Sequence, residues 1–233
     1  MNGNQLKIVA LVTMTIDHIG VLMFPHVTWL RIVGRLSFPI FAYMIAEGCF
    51  YTHRRRRYVA GLAIVGCLCQ VVYALFMGSL EQSIMTTLAL GALTVFAMQD
   101  LARRRDAAGV LMFLGMLAAD VLACCVLPVL LARWDFSVDY GLFGVLLVAF
   151  AYAPRLFIGP QEPGRLRACM LATTAAGLVL VALDSTWVQW FGLAAVALLA
   201  CYDGTRGTLS MKYVFYVYYP LHLAVLYGIS LLV

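Results

Sequence analysis

The sequence predicts an all-α integral membrane protein of about nine transmembrane helices (eight to ten), amino terminus inside and carboxyl terminus outside, with a polar cavity in the bundle. Three observations carry that reading. The 233 residues are 64% hydrophobic and only 12% charged, with mean hydropathy +0.94, whereas charged residues make up about a quarter of a soluble domain. Apolar runs recur along the whole chain, most of them near the ~20 residues a bilayer crossing needs. The basic residues gather in alternate loops, as the positive-inside bias requires. A single polytopic domain covering 1–233 follows.

The apolar segments fall at about 5–24, 36–52, 58–78, 84–99, 107–131, 139–153, 168–184, 187–202 and 212–232. The first lacks a small-residue cleavage site and is interrupted by Asp17 and His18, so it reads as a span rather than a signal peptide. Segments six to eight are the shortest, which is why the count has a range. Alternating from an inside amino terminus places Lys7, Arg54 to Arg57, Arg103 to Arg105, Arg155, Arg165, Arg167, Arg206 and Lys212 inside. Only Arg31, Arg35 and Arg133 fall outside. The connection 154–167 is punctuated by prolines and glycines and reads as an irregular loop. The net charge of +5 is topology information and argues for no nucleic acid. The seven cysteines show no Cys-x-x-Cys or Cys/His spacing, so they read as packing residues and no metal is expected.

The stretch from Lys7 to Gly48 organises the candidate chemistry, because ionisable groups at bilayer depth cost about 2.5–3.5 kcal/mol each and mark functional sites by default. Asp17 and His18 interrupt the first apolar run, and Glu47 interrupts the second. Lys7 and His18 are 11 residues apart, close to three helical turns, so they share a face about 16 Å apart along the axis. Lys7 at the inner mouth suits an anionic, phosphate-bearing cofactor, with a snorkelling interface anchor as the plainer reading. His18, deeper in, suits proton transfer. Asp17 sits about 100° round the helix from His18, so it needs another partner: Arg35, a hydroxyl on another helix, or a backbone donor. Arg35, opening the second segment in Gly-Arg-Leu-Ser-Phe-Pro, is a rim charge, an oxyanion stabiliser or an acceptor-binding group. In the last segment His222 lies one turn beyond Tyr218 and Tyr219, at a depth similar to His18, and Pro220 should kink the helix. Arg54, Arg55, Arg56 and Arg57 form a topology anchor or a phosphate cradle. Asp120 and Asp184 have no motif around them, and His26 and His53 read as solvated loop residues.

LKIVALVTMTIDHIG, WLRIVGRLSFPIFAYMIAEG, TTLALG and KYVFYVYYPLHL together closely resemble the TraX family of integral membrane proteins, named for the conjugative F-pilin acetylation protein. The stretch 100–205 is not covered by that resemblance. The family is similar to the acyltransferase-3 type of membrane acyltransferase, whose first helix carries a basic residue, ten others and a histidine. Lys7-x10-His18 resembles that pattern with lysine for the usual arginine, which loses bidentate recognition.

The resemblance implies an acetyltransferase of the bacterial inner membrane that takes acetyl-CoA from the cytoplasm. His18 would be the general base toward an amine or hydroxyl acceptor such as a pilin amino terminus or an envelope glycan. Asp17, Arg35, Glu47, Tyr219 and His222 would line the catalytic site, with Lys7 and Arg54 to Arg57 holding the donor. Two rival readings stand beside it: a small proton-coupled transporter relaying through Asp17, His18, Glu47 and His222, and a non-enzymatic pilus or envelope assembly factor.

Overall fold

A computed structural model describes residues 1–207 and 212–232. The side chains of Lys212 and Tyr213, which the sequence reading used as an inner charge and a belt residue, lie outside the described set. The described chain is helical, with no strand beyond an isolated Gln82–Val138 bridge. Among the described residues six helical stretches are long and apolar enough to cross a membrane: 3–22, 28–51, 55–76, 84–104, 107–130 and 163–183. The apolar stretches 141–156 and 187–200 are shorter.

Helix α1 (Gly3–Leu22) starts at a capping box. Asn2 Oδ1 accepts from the Gln5 N–H at 3.0 Å, and Gln5 Oε1 accepts from the Asn2 N–H at 2.9 Å, satisfying donors that a helix start leaves unpaired. Pro25, three residues past the last turn, keeps the helix from continuing. The connection expected at 25–35 contains a helix, α2 (Thr28–Gly34), which runs almost directly into α3 (Ser37–Tyr51). Pro39 is tolerated because it falls in the first turn of α3. The Ser37 hydroxyl donates to the Gly34 carbonyl across the break at 2.8 Å.

Helix α4 (Arg55–Met77) ends at Gly78, whose φ of +63° is left-handed and costs glycine little. It is followed by α5 (Ile84–Arg104) and α6 (Ala107–Val121). Beyond α6 a π-turn (Leu122–Val126) leads into α7 (Leu127–Leu130). The π-turn has a cause in the sequence: Pro128 cannot donate to the Cys124 carbonyl, so the ladder is rewound ahead of it. Helix α8 (Gly141–Tyr152) is short and apolar throughout, and it packs against α3, α5 and α9 (Pro163–Leu183). Its position explains its length, since it buries Val145, Leu147 and Val148 in the core instead of facing lipid. A 3₁₀ stretch (Trp187–Ala194) leads into α10 (Ala195–Ala200). Helix α11 (Lys212–Ser230) continues through Pro220 and packs on α1 and α4.

Contacts between connections sort into two ends. At the amino-terminal end the Gly3 N–H donates to the Thr205 carbonyl at 2.7 Å, Arg55 pairs with Asp100, Glu47 with Arg155, and Gln99 donates to Tyr152 Oη at 2.8 Å. At the opposite, Asp17 end the Gln82 N–H donates to the Ser137 carbonyl at 2.7 Å, and Thr87 Oγ1 to the Asp139 carbonyl at 2.5 Å. Arg31, Arg35 and Arg133 belong to the Asp17 end.

Candidate functional site

The α2–α3 arrangement places Arg31 and Arg35 one helical turn apart, on one face, and that face meets α1 at Asp17. Arg31 Nη1 donates to Asp17 Oδ2 at 2.8 Å, and Arg35 Nη2 donates to both carboxylate oxygens at 2.8 and 2.7 Å. Of the partners left open for Asp17, Arg35 is one. Arg31, which the sequence reading used only for topology, is the second. The close approach depends on Gly34, because a Cβ there would lie less than 3 Å from Asp17 Oδ1. Arg35 also donates through Nη1 to Gln189 Oε1 at 3.2 Å, and its guanidinium lies 5.8 Å from the Tyr140 ring centroid.

On the neighbouring face of α1, His18 meets α11. His222 Nε2 lies 3.2 Å from His18 Nδ1, and the rings sit 5.0 Å apart at a steep angle. Tyr219 is buried and edge-on to both imidazoles, at 5.3 Å from His222 and 6.5 Å from His18. Tyr218 stacks on His222 at 5.2 Å, and its hydroxyl bonds Thr15 Oγ1 at 2.7 Å.

These bonds fix the tautomers. His222 Nδ1 faces the Tyr218 carbonyl at 3.1 Å, and His18 Nδ1 faces the Met14 carbonyl at 3.0 Å. A carbonyl only accepts, so both Nδ1 atoms carry protons. Neutral His222 then accepts at Nε2 from His18 Nδ1–H, which it shares with Met14. The basic lone pair of neutral His18 is left at its other nitrogen, Nε2.

The structure places Glu47 apart from the histidine pair. It forms a buried ion pair with Arg155 at the amino-terminal end, where α3 passes Gly3 at Met44. The 15 residues from Gly3 to His18 span about 22 Å of helix, which separates Glu47 from the histidine pair. Of the proposed donor cradle, Arg55 is drawn inward onto Asp100 (2.6 Å) and Gln99 (2.6 Å), while Arg54, Arg56 and Arg57 are exposed. Lys7 is half-buried on α1. Two apolar grooves of about 390 and 410 Å³ lie on the outer face of α4, one reaching α5, and neither involves His18. The rings beside His18 are those of His222 and Tyr219, with Tyr218 stacked behind on His222. No cluster of His, Cys, Asp and Glu among the described residues could hold a metal.

The Asp17 end also carries Asp139, in the connection ahead of α8. Burial pushes its carboxyl up to about 7; the Arg35 guanidinium opposes that shift, and Glu81 and Asp17 add to it.

Sequence reasoning missed Arg31, Gln189, Tyr140 and Arg155. The Arg31/Arg35 spacing was a readable signal, and Gln189 is a lone amide in the apolar run Trp-Val-Gln-Trp-Phe-Gly. Nothing in the local sequence marked Arg155 as a partner of Glu47.

A family model described as TraX protein matches residues 2–230. A probable fimbrial assembly protein FimC (serogroup H1) of Dichelobacter nodosus is 26% identical, over 95% of this chain and 93% of its own length. Protein TraX of Escherichia coli is 28% identical over 95% of this chain and 84% of its own length. An uncharacterised protein of Rickettsia prowazekii is 25% identical over 75% of this chain. No solved structure matches.

Proposed function

Because this chain belongs to the TraX protein family, we propose that it is a membrane-embedded acetyltransferase, with His18 as general base at a site between α1 and α11. The single observation that supports this most is the His18 tautomer: two bonds at Nδ1 leave Nε2 as the basic nitrogen. A lone pair held in a fixed direction is what proton abstraction from an amine or hydroxyl requires.

In this reading the acceptor attacks the thioester carbonyl of acetyl-CoA while its proton passes to His18 Nε2. The carbonyl–sulfur bond then breaks, and the thiolate recovers the proton from the imidazolium. His222 bears on His18 through Nδ1–H, stabilising the cation, and Tyr219 encloses both rings. Asp17 and Arg35 hold α2–α3 against α1 and keep a positive group near the developing oxyanion. The donor enters at the amino-terminal end. Lys7, Arg54, Arg56 and Arg57 attract its phosphates, and Arg55, committed to Asp100, contributes less than the sequence reading assigned to it.

Placed in a bacterial inner membrane, the amino-terminal end faces the cytoplasm, with nine alternating passes counting the two short helical stretches and α11. The acceptor is a pilin or another envelope protein or glycan; the relative named as a fimbrial assembly protein favours a protein. Mass spectrometry of cell-envelope fractions tests the reading. Wild-type cells should carry an acetyl mark that is lost in His18→Ala, with the variant still present in the membrane. An unchanged acetylation pattern would leave the assembly-factor reading in its place.

A further inference from the structure

Two hydrogen-bond donors at the Asp17 end are unaccounted for. Gln189 is 3% exposed, its Oε1 is held by Arg35, and its Nε2 is buried without a partner among the described residues. Arg35 Nε is buried and unpartnered as well, while the outer nitrogen of the same guanidinium is committed to Asp17. A buried N–H left without an acceptor is costly, and here two occur on side chains bonded to each other. The backbone beside them leaves room for one methyl group at ordinary contact distance. Gly192 lies one 3₁₀ turn from Gln189, and a Cβ on it would sit 3.4 Å from Gln189 Nε2, 3.4 Å from the Arg35 carbonyl oxygen and 3.7 Å from Pro39 Cγ. Arg31 and Arg35 share the carboxylate of Asp17, and Asp139 also bears on Arg35. Arg31 is a third exposed, so the cluster opens to the surroundings at this end.

We propose that the Arg35–Gln189–Gly192 corner is a binding site for the carboxylate of a small molecule or substrate that reaches the protein from the Asp17 end. Oxygen acceptors are what two orphaned N–H donors require, and one of the two belongs to a guanidinium, which favours an anion. The proposal does not rest on the acyl-transfer reading. Taken together with it, the acceptor is a molecule with a carboxylate near the group that is acylated.

The test uses the purified full chain in detergent, with propionate as the probe and propionamide and chloride as controls at constant ionic strength. Trp187 and Trp190 flank Gln189, so their fluorescence reads the corner directly. Propionate should give a saturable change that propionamide and chloride do not, and Gln189→Leu and Gly192→Ala should weaken it at least roughly tenfold. Thermal unfolding of each variant reports whether it folds; if Gln189→Leu does not, Gly192→Ala decides. A wild type with no saturable response, an equal response to propionamide or chloride, or wild-type propionate binding in a folded Gly192→Ala would overturn the proposal and assign the two donors to trapped water.

Discussion

Asp17 shows how one side chain can organise a helix pair. Its carboxylate is 14% exposed and Arg35 is 13% exposed, so removing either partner leaves a charge stranded. Breaking a buried pair of this kind costs about 3–5 kcal/mol. Gly34 belongs to the same unit, because any Cβ there collides with Asp17. Gly34→Ala is therefore expected to destabilise the fold nearly as much as Asp17→Ala. The double variant should be no more stable than either single variant, because Asp17→Ala keeps the Cβ that a Cβ at position 34 would meet at less than 3 Å. Thermal unfolding of the three variants checks this; recovered stability in the double variant would show that the carboxylate alone makes the close contact. The sequence showed Asp17 and Arg35 as polar groups in apolar surroundings, which is why they were legible. It did not show that Glu47 pairs with Arg155, because that contact links residues 108 apart. Glu47→Gln is expected to lower stability by about 3 kcal/mol by stranding the Arg155 guanidinium. It should leave acetyl transfer per folded molecule unchanged; a proton relay through Glu47 would instead abolish activity in this variant.

At the scale of elements, hydrophobic segmentation located the helices because bilayer-length apolar runs are long and unambiguous. Each of the nine predicted segments coincides with helical structure in the described residues. What it could not show is how each run is used. The stretch 139–153 is apolar because α8 is enclosed by α3, α5 and α9, and burial in protein reads the same as burial in lipid. The α2 helix is hidden for the opposite reason: Pro25, His26 and Thr28 read as a connection, which separates Arg31 from Arg35 at the start of the next segment although their spacing fits a helix. In α6, Asp120 is fully buried and accepts from Thr94 Oγ1 at 2.7 Å, ahead of the turn that Pro128 rewinds. That polar contact ties an otherwise lipid-exposed helix to α5, a tie that hydropathy alone does not reveal.

Over the whole molecule, charge is divided between two ends. The described basic residues concentrate at the amino-terminal end, and the acidic and arginine cluster of Asp17, Asp139, Arg31 and Arg35 sits at the other. This division gives the stability a pH dependence. Asp139 has a folded pKa raised to about 7 against about 3.9 in an unfolded chain, so the fold holds the proton that the unfolded chain releases. Stability contributed by that proton is complete below pH 4 and falls as pH rises through 7. Asp139→Asn should consequently be more stable than wild type at pH 8 and no more stable at pH 3.5. An equal effect at both values would show that the carboxyl does not titrate in this window.

In the proposed reaction the imidazole of the first helix receives a proton while an acetyl group moves. The most direct measurement is transfer of labelled acetyl from acetyl-CoA to envelope components in membrane vesicles carrying equal amounts of wild type or His18→Gln. Wild type should transfer label, and the variant should be slower by about 10²–10⁴-fold, the usual contribution of a positioned base. Transfer by His18→Gln at the wild-type rate, or no transfer by wild type above vesicles lacking the protein, would contradict it.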